Sequence, residues 1–123
     1  DSVELLITAL QVVIVFGIIN VWIFRFNRQT GYRGGEAASL KEEFEVYGLP
    51  YWFLIVVGFL KLALACLLIV AIWIPQLQLV AGGGMAVLML GAISMHVKVK
   101  DPAKKSLPAI SMFVMSLAVA LAL

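Results

Sequence analysis

Four long stretches of this chain exclude charge almost completely, and the segments between them collect it. Leu5 to Phe24 runs for 20 residues without a charged side chain, and Tyr51 to Pro75 runs for 25 with Lys61 as its only charge. Leu77 to Met95 gives a further 19 uncharged residues, and Ser106 to Leu123 gives 18. About 20 apolar residues in helical form cross a hydrocarbon core of roughly 30 Å. The runs are continuous rather than alternating, which favours helices over the shorter strands of a membrane barrel. The pattern predicts an all-α integral membrane four-helix bundle forming one transmembrane domain over residues 1–123. The spans are expected at about 2–26, 51–74, 77–97 and 102–123.

The connecting segments carry their own signals. Residues 27–38 are polar and contain Gly31, Gly34 and Gly35, the composition of a tight turn. Ser39 with Glu42 fits a capping box, in which each side chain satisfies a free backbone N–H of the other residue. Leu40, Phe44 and Tyr47 then recur at helical spacing among Lys41, Glu42, Glu43 and Glu45. That predicts a short amphipathic interfacial helix over about 39–48, its apolar side toward lipid or the bundle, ended by Gly48 and Pro50. Tyr51, Trp52 and Trp73 place aromatic rings at both ends of the second span, as interfaces prefer. The uncharged turn at 74–78 is too short for anything but antiparallel neighbours. Asp101-Pro102 reads as an N-cap followed by proline at the first helical position, with Pro108 expected to bend the last span one turn later.

Composition agrees with the pattern. Hydrophobic residues make up 63% of the chain and charged residues 13%, against about 25% charged in an ordinary soluble domain. The formal net charge is only +2, and the basic residues lie at span ends, so nucleic acid is not an expected partner. The first apolar run follows Asp1 and Glu4 rather than basic residues and precedes no small-residue cleavage site, so it reads as a retained helix. Arg25, Arg28, Arg33 and Lys41 follow the first span, and Lys98, Lys100, Lys104 and Lys105 follow the third. The turn between the second and third spans carries no basic residue. By the positive-inside rule both basic loops are expected in the cytoplasm and both termini outside, in a bacterial cytoplasmic (inner) membrane.

Lys61 is the most informative single residue. It lies about 15 Å from either surface by helical rise, where a charge costs at least ~2.5 kcal/mol and normally faces protein or trapped water. The plainer reading is a lysine that snorkels to the interface. By depth its expected partners on the first span are Gln11 and Thr8, with Glu4 higher. His96, the only histidine, ends the third span near the depth of Asn20, and Arg33 and Glu36 flank the Gly34-Gly35 turn that is expected to fold back over the same end. Histidine titrates near neutrality, so His96 is a candidate proton-transfer group or quinone hydrogen-bond partner, or else an interfacial residue bonded to a loop carbonyl. Lys61, His96, Asn20, Gln11, Arg33 and Glu36 are thus the ligand-binding candidates.

Other features favour plain readings. One His and one Cys do not make a zinc site, and no metal site is expected. Cys66 reads as a small buried apolar residue. Met85, Met89, Met95, Met112 and Met115 read as packing rather than copper ligands. Gly82, Gly83, Gly84 and Gly91 read as sites of close backbone approach rather than a phosphate loop.

Three stretches carry a resemblance: GYRGGEAASLKEEFEVYGLP at 31–50, VGFLKLALACLLIVAIWIP at 57–75 and GMAVLMLGAISMHVKVKDPAKKSLPA at 84–109. Together they resemble the DoxX-like family of small four-helix membrane proteins. Many relatives carry a Glu where Lys61 stands here. The family takes its name from a subunit of a thiosulfate:quinone oxidoreductase system, so the resemblance implies a membrane subunit or binding module associated with a membrane oxidoreductase. Its expected ligand is a quinone or lipid, with Lys61 and His96 as polar contacts. The alternative is a non-catalytic structural or assembly partner, acting through a membrane protein or a second copy of itself. Catalysis by the chain alone is not expected, since it has no cofactor motif.

Overall fold

The computed structural model describes residues 2–122, and it is helical wherever it is regular. The first span is α1 (Ser2–Ile19), continued by a π-helical segment (Asn20–Phe24). A folded loop leads to α2 (Leu40–Val46), and then α3 (Tyr51–Val70) returns across the bundle. A 3₁₀ turn (Pro75–Leu77) joins α3 to α4 (Gln78–Lys98), and a second one (Ala103–Ser106) opens onto α5 (Leu107–Leu121). Among the described residues, four helical stretches are long and apolar enough to cross a membrane: Ser2–Phe24, Tyr51–Val70, Pro75–Lys98 and Ala103–Leu121. This is the expected four-helix membrane architecture, with the short helix in the expected connection. α1 packs on α3 and α5, and α4 packs on α3 and α5.

The inward stripe of α3 is Leu54, Gly58, Lys61, Ala65 and Leu68, spaced 4-3-4-3, all buried. On α1 the corresponding stripe includes Ile7, Gln11, Ile14 and Ile18, continued by Trp22 in the π-helical segment. Steps of three and four residues keep one helix face turned toward a neighbour. Large apolar side chains on the other faces, including Phe16, Phe59, Val87 and Val114, stand open to the surroundings. In water that surface would be strongly unfavourable; in hydrocarbon it is matched. α4 and α5 approach closely at Gly82, where a Cβ would lie 2.7 Å from the Ser116 carbonyl oxygen and 2.8 Å from the Ala120 nitrogen. Gly84 gives similar room to Leu64, whereas Gly83 and Gly91 face open space, so only half of the glycine set serves close approach.

Several expectations are corrected. α1 does not run regularly to residue 26: its last turn widens, with Arg25 N–H donating to the Asn20 carbonyl at 2.8 Å. Pro102 caps a 3₁₀ turn, and Pro108 lies in the first turn of α5 rather than one turn inside a helix, so its missing N–H breaks no helical hydrogen bond. Cys66 is exposed on the outer face of α3 rather than buried. Met85 and Met89, by contrast, fill the core.

Candidate functional site

Lys61 is turned into the bundle, with only 8% of its surface exposed. Helical side chains lean toward the N-terminus of their own helix, which carries this ammonium from the middle of α3 toward the α2 end. There Nζ lies 5.1 Å from the centroid of the Trp22 ring, a cation–π contact. Trp22 belongs to the π-helical segment, and its six-membered ring rests on Gly58, where a Cβ would meet it at 2.9 Å. Phe44 of α2 meets Trp22 edge-on at 5.9 Å and lies 6.5 Å from Phe53 of α3. Lys61 makes no hydrogen bond or ion pair among the described residues. The carboxylate whose charge acts on it is Glu43.

Above that aromatic layer, a polar cap closes the end of the bundle. The capping box forms as expected: Glu42 N–H donates to Ser39 Oγ at 3.2 Å. It starts α2 so that Leu40, Glu43, Phe44 and Tyr47 share the inward face, all buried. Glu43 Oε1 accepts from Arg33 Nη1 at 3.2 Å, while Oε2 accepts from Gly34 N–H at 2.8 Å and from the Tyr47 hydroxyl at 2.7 Å. Arg33 is itself buried and donates to the Arg25 and Arg28 carbonyls, which follow the π-helical end of the first span. Its guanidinium thereby ties the loop, the first span and α2 together. The Tyr47 hydroxyl stays protonated far into alkali, because burial, and then the adjacent Glu43 charge and hydrogen bond, oppose its ionisation more than Arg33 favours it.

A second network joins the two basic loops. Gly35, at φ +56, aims its N–H at Asp101, with oxygens at 3.0 and 3.3 Å. Asp101 Oδ2 also accepts from His96 Nδ1 at 2.7 Å, and Lys105 bonds the Gly35 carbonyl while standing 3.8 Å from Asp101 Oδ1. Since a carboxylate offers only lone pairs, this contact fixes the His96 proton on Nδ1. Burial alone would raise the Asp101 carboxyl, but the His96 bond, the Gly35 N–H and the Lys105 charge outweigh it and hold the group below its usual range. Lys98 Nζ donates to the Tyr47 carbonyl at 2.8 Å, and the Tyr47 ring meets His96 edge-on at 5.9 Å.

The site differs from expectation in its pairings. Gln11 is 1% exposed but donates to the Leu68 carbonyl at 3.2 Å rather than meeting Lys61. Helix geometry explains this: Gln11 lies level with the far half of α3, while the lysine stem leans the other way. Asn20 is exposed and accepts from Arg25 Nε at 3.1 Å, away from His96. Arg33 folds over the bundle end as expected, whereas Glu36 stays exposed at the rim of a cleft of about 470 Å³ lined also by Gln29, Thr30, Arg33 and Lys105. Asp101 binds across the loops instead of capping a helix. Sequence reading missed Trp22, Glu43, Tyr47 and Asp101 as site residues. Glu43 was findable, since it stands at i+3 from Leu40 and i−4 from Tyr47 on the apolar face. Among the described residues, no group of three or more His, Cys, Asp or Glu side chains is placed to hold a metal ion.

The model of the DoxX-like family matches residues 9–121, and the chain therefore belongs to that family. No curated protein and no solved structure matches it.

Proposed function

From its place in the DoxX-like family, we propose that this multi-pass membrane protein is a small subunit or binding module that holds a hydrophobic ligand, a quinone or lipid, and serves a membrane oxidoreductase system. The observation that carries the reading is Lys61: a buried ammonium, deep in the bundle, with an indole face beside it and no acceptor from the described residues. Leaving such a donor unmet is strongly unfavourable in a low-dielectric interior, so a ligand acceptor has a physical reason to sit there. His96 supplies a second polar contact nearer the surface, since its Nε2 carries no hydrogen bond among the described residues. The membrane is a bacterial cytoplasmic membrane, with the polar cap inside and both termini outside, in keeping with the Lys/Arg asymmetry.

Extraction into native-lipid discs followed by mass spectrometry tests the reading. Wild-type protein is expected to carry one amphiphile enriched over the bulk lipid, and Lys61→Leu, inserted to the same level, to carry less. Identical lipid content in the two preparations refutes it. Orientation is tested separately by placing a cysteine at position 104 after replacing Cys66. Labelling of that cysteine from outside intact cells by an impermeant reagent reverses the assignment.

A second reading, assembly partner without ligand, draws on the cap. Arg33, Glu43, Tyr47 and Asp101 are buried and fix the loops, which holds the exposed Gln29 and Glu36 in a set polar rim suited to docking a protein. A stoichiometric membrane partner retained with no enriched amphiphile favours it.

A further inference from the structure

We infer that the ligand of Lys61 is an acidic amphiphile, a molecule bearing a carboxylate or phosphate on an apolar body, whose anion meets the ammonium beside the Trp22 ring. The inference rests on the ligand-holding reading above and deepens it by assigning the charge of the head group.

Charge bookkeeping inside the bundle leads to this assignment. Glu43 is the acid whose charge acts on Lys61, but both its oxygens are occupied: one by Arg33, the other by Gly34 N–H and the Tyr47 hydroxyl. Arg33 balances Glu43, and the Lys61 charge is left over. The Gln11 side chain on the facing helix is held two turns beyond Lys61 by the bond its amide N–H donates to the Leu68 carbonyl, and it makes no hydrogen bond to the ammonium. Trp22 offers the face of its ring, which attracts the cation without accepting its N–H bonds in the way an oxygen does. A neutral carbonyl would accept one N–H and leave the charge in place. An anion satisfies the donors and cancels the charge together, and charge-assisted bonds of this kind are roughly twice as strong as neutral ones.

The apolar body follows from the route. Lys61 lies midway along the 20-residue α3, and its outward neighbours Phe59, Leu60 and Ala63 are exposed on the lipid-facing side. Any acid that reaches the ammonium has to partition into the bilayer first.

The test uses the full chain in discs of neutral phosphatidylcholine, with native mass spectrometry counting what stays bound after release. The probes are oleate, methyl oleate, phosphatidylglycerol and decylubiquinone. Oleate is expected to be retained about tenfold or more over methyl oleate, the ratio that one charge-assisted bond gives, or phosphatidylglycerol to be retained similarly over phosphatidylcholine. Oleate alone identifies a free fatty acid as the source, and phosphatidylglycerol alone a phospholipid. Lys61→Met and Lys61→Leu, with melting in detergent as a check on folding, are expected to abolish the preference. The ester comparison needs no variant, so it decides the matter even where a variant fails to fold. Retention of neither acid over its neutral counterpart overturns the inference. Lys61-dependent retention of decylubiquinone in that case leaves the ligand-holding reading intact, and retention of no probe removes both.

Discussion

His96 and Asp101 face each other at 2.7 Å across the end of α4, and the same carboxylate receives the N–H of Gly35 from the other basic loop. One aspartate therefore joins segments that are 66 residues apart. Because its carboxyl is held below the ordinary 3.8, ionised Asp101 contributes stability above that value, and the contribution is lost as pH falls through the lower folded-state value. Thermal melting in detergent is expected to be insensitive to this group from neutrality to about pH 4 and to fall below that. Asp101→Asn is expected to lose about 1–3 kcal/mol at pH 7 and to flatten the acid limb. An unchanged acid limb in Asp101→Asn assigns that limb to another group.

Arg33→Met leaves Glu43 buried without its cation and leaves the Arg25 and Arg28 carbonyls without their donor. Removing one partner of a buried pair costs about 3–5 kcal/mol. The variant is expected to insert normally and to melt well below wild type. Hydrogen exchange should rise first in the loop at 25–39 and in α2. A melting point equal to that of wild type contradicts the role given to Arg33.

Gly34 lies against the Tyr47 ring, where a Cβ would come within 2.4 Å of the ring edge. Tyr47 has no freedom to withdraw, since it is buried and its hydroxyl is bonded to Glu43. Gly34→Ala is expected to cost about 1–3 kcal/mol through overpacking. The double variant with Tyr47→Ala should recover part of that loss, which a double-mutant cycle measures. Additive effects in the cycle would mean that the two residues are not coupled.

Lys100 takes φ +58, the left-handed conformation that ends α4, and Asp101 N–H then reaches back to the His96 carbonyl at 3.0 Å. Gly48 does the same work after α2 at φ +78, with Leu49 N–H donating to the Phe44 carbonyl at 2.9 Å. The glycine carries no steric penalty there, while the lysine bears about 1–2 kcal/mol. Lys100→Gly is thus expected to raise stability by up to about 1 kcal/mol, read as a higher melting point. A lower one removes this account of the α4 terminus.

The spans and the short helix were legible in the sequence because each rests on a local signal. Charge exclusion marks the spans, and Ser39 with Glu42 marks the start of α2. The inward direction of Lys61 followed from its depth. Its neighbours did not, because the choice between Gln11 and Trp22 depends on the lean of a side chain and on one widened turn, neither of which leaves a mark in hydropathy. Asp101 was misread for a related reason: Asp-Pro is a local cap signal, and the Gly35 N–H that claims the carboxylate comes from a distant loop. Cys66 was misjudged by a burial habit of soluble proteins, in which the outside is water. Here the outside is apolar, and a small thiol has no reason to hide from it.

The widened turn at Asn20–Phe24 has a consequence for how this chain tolerates deletions. A π-turn is a regular helix carrying one surplus residue. Losing a residue elsewhere in a membrane helix rotates everything beyond it by roughly 100° and turns its inward face toward lipid. Removing one between Asn20 and Phe24 instead lets the helix revert to its ordinary pitch, with both flanks keeping their facing. Trp22 alone would lose its seat on Gly58. The segment is a slack point in the thread, and the indole beside Lys61 is held by that slack.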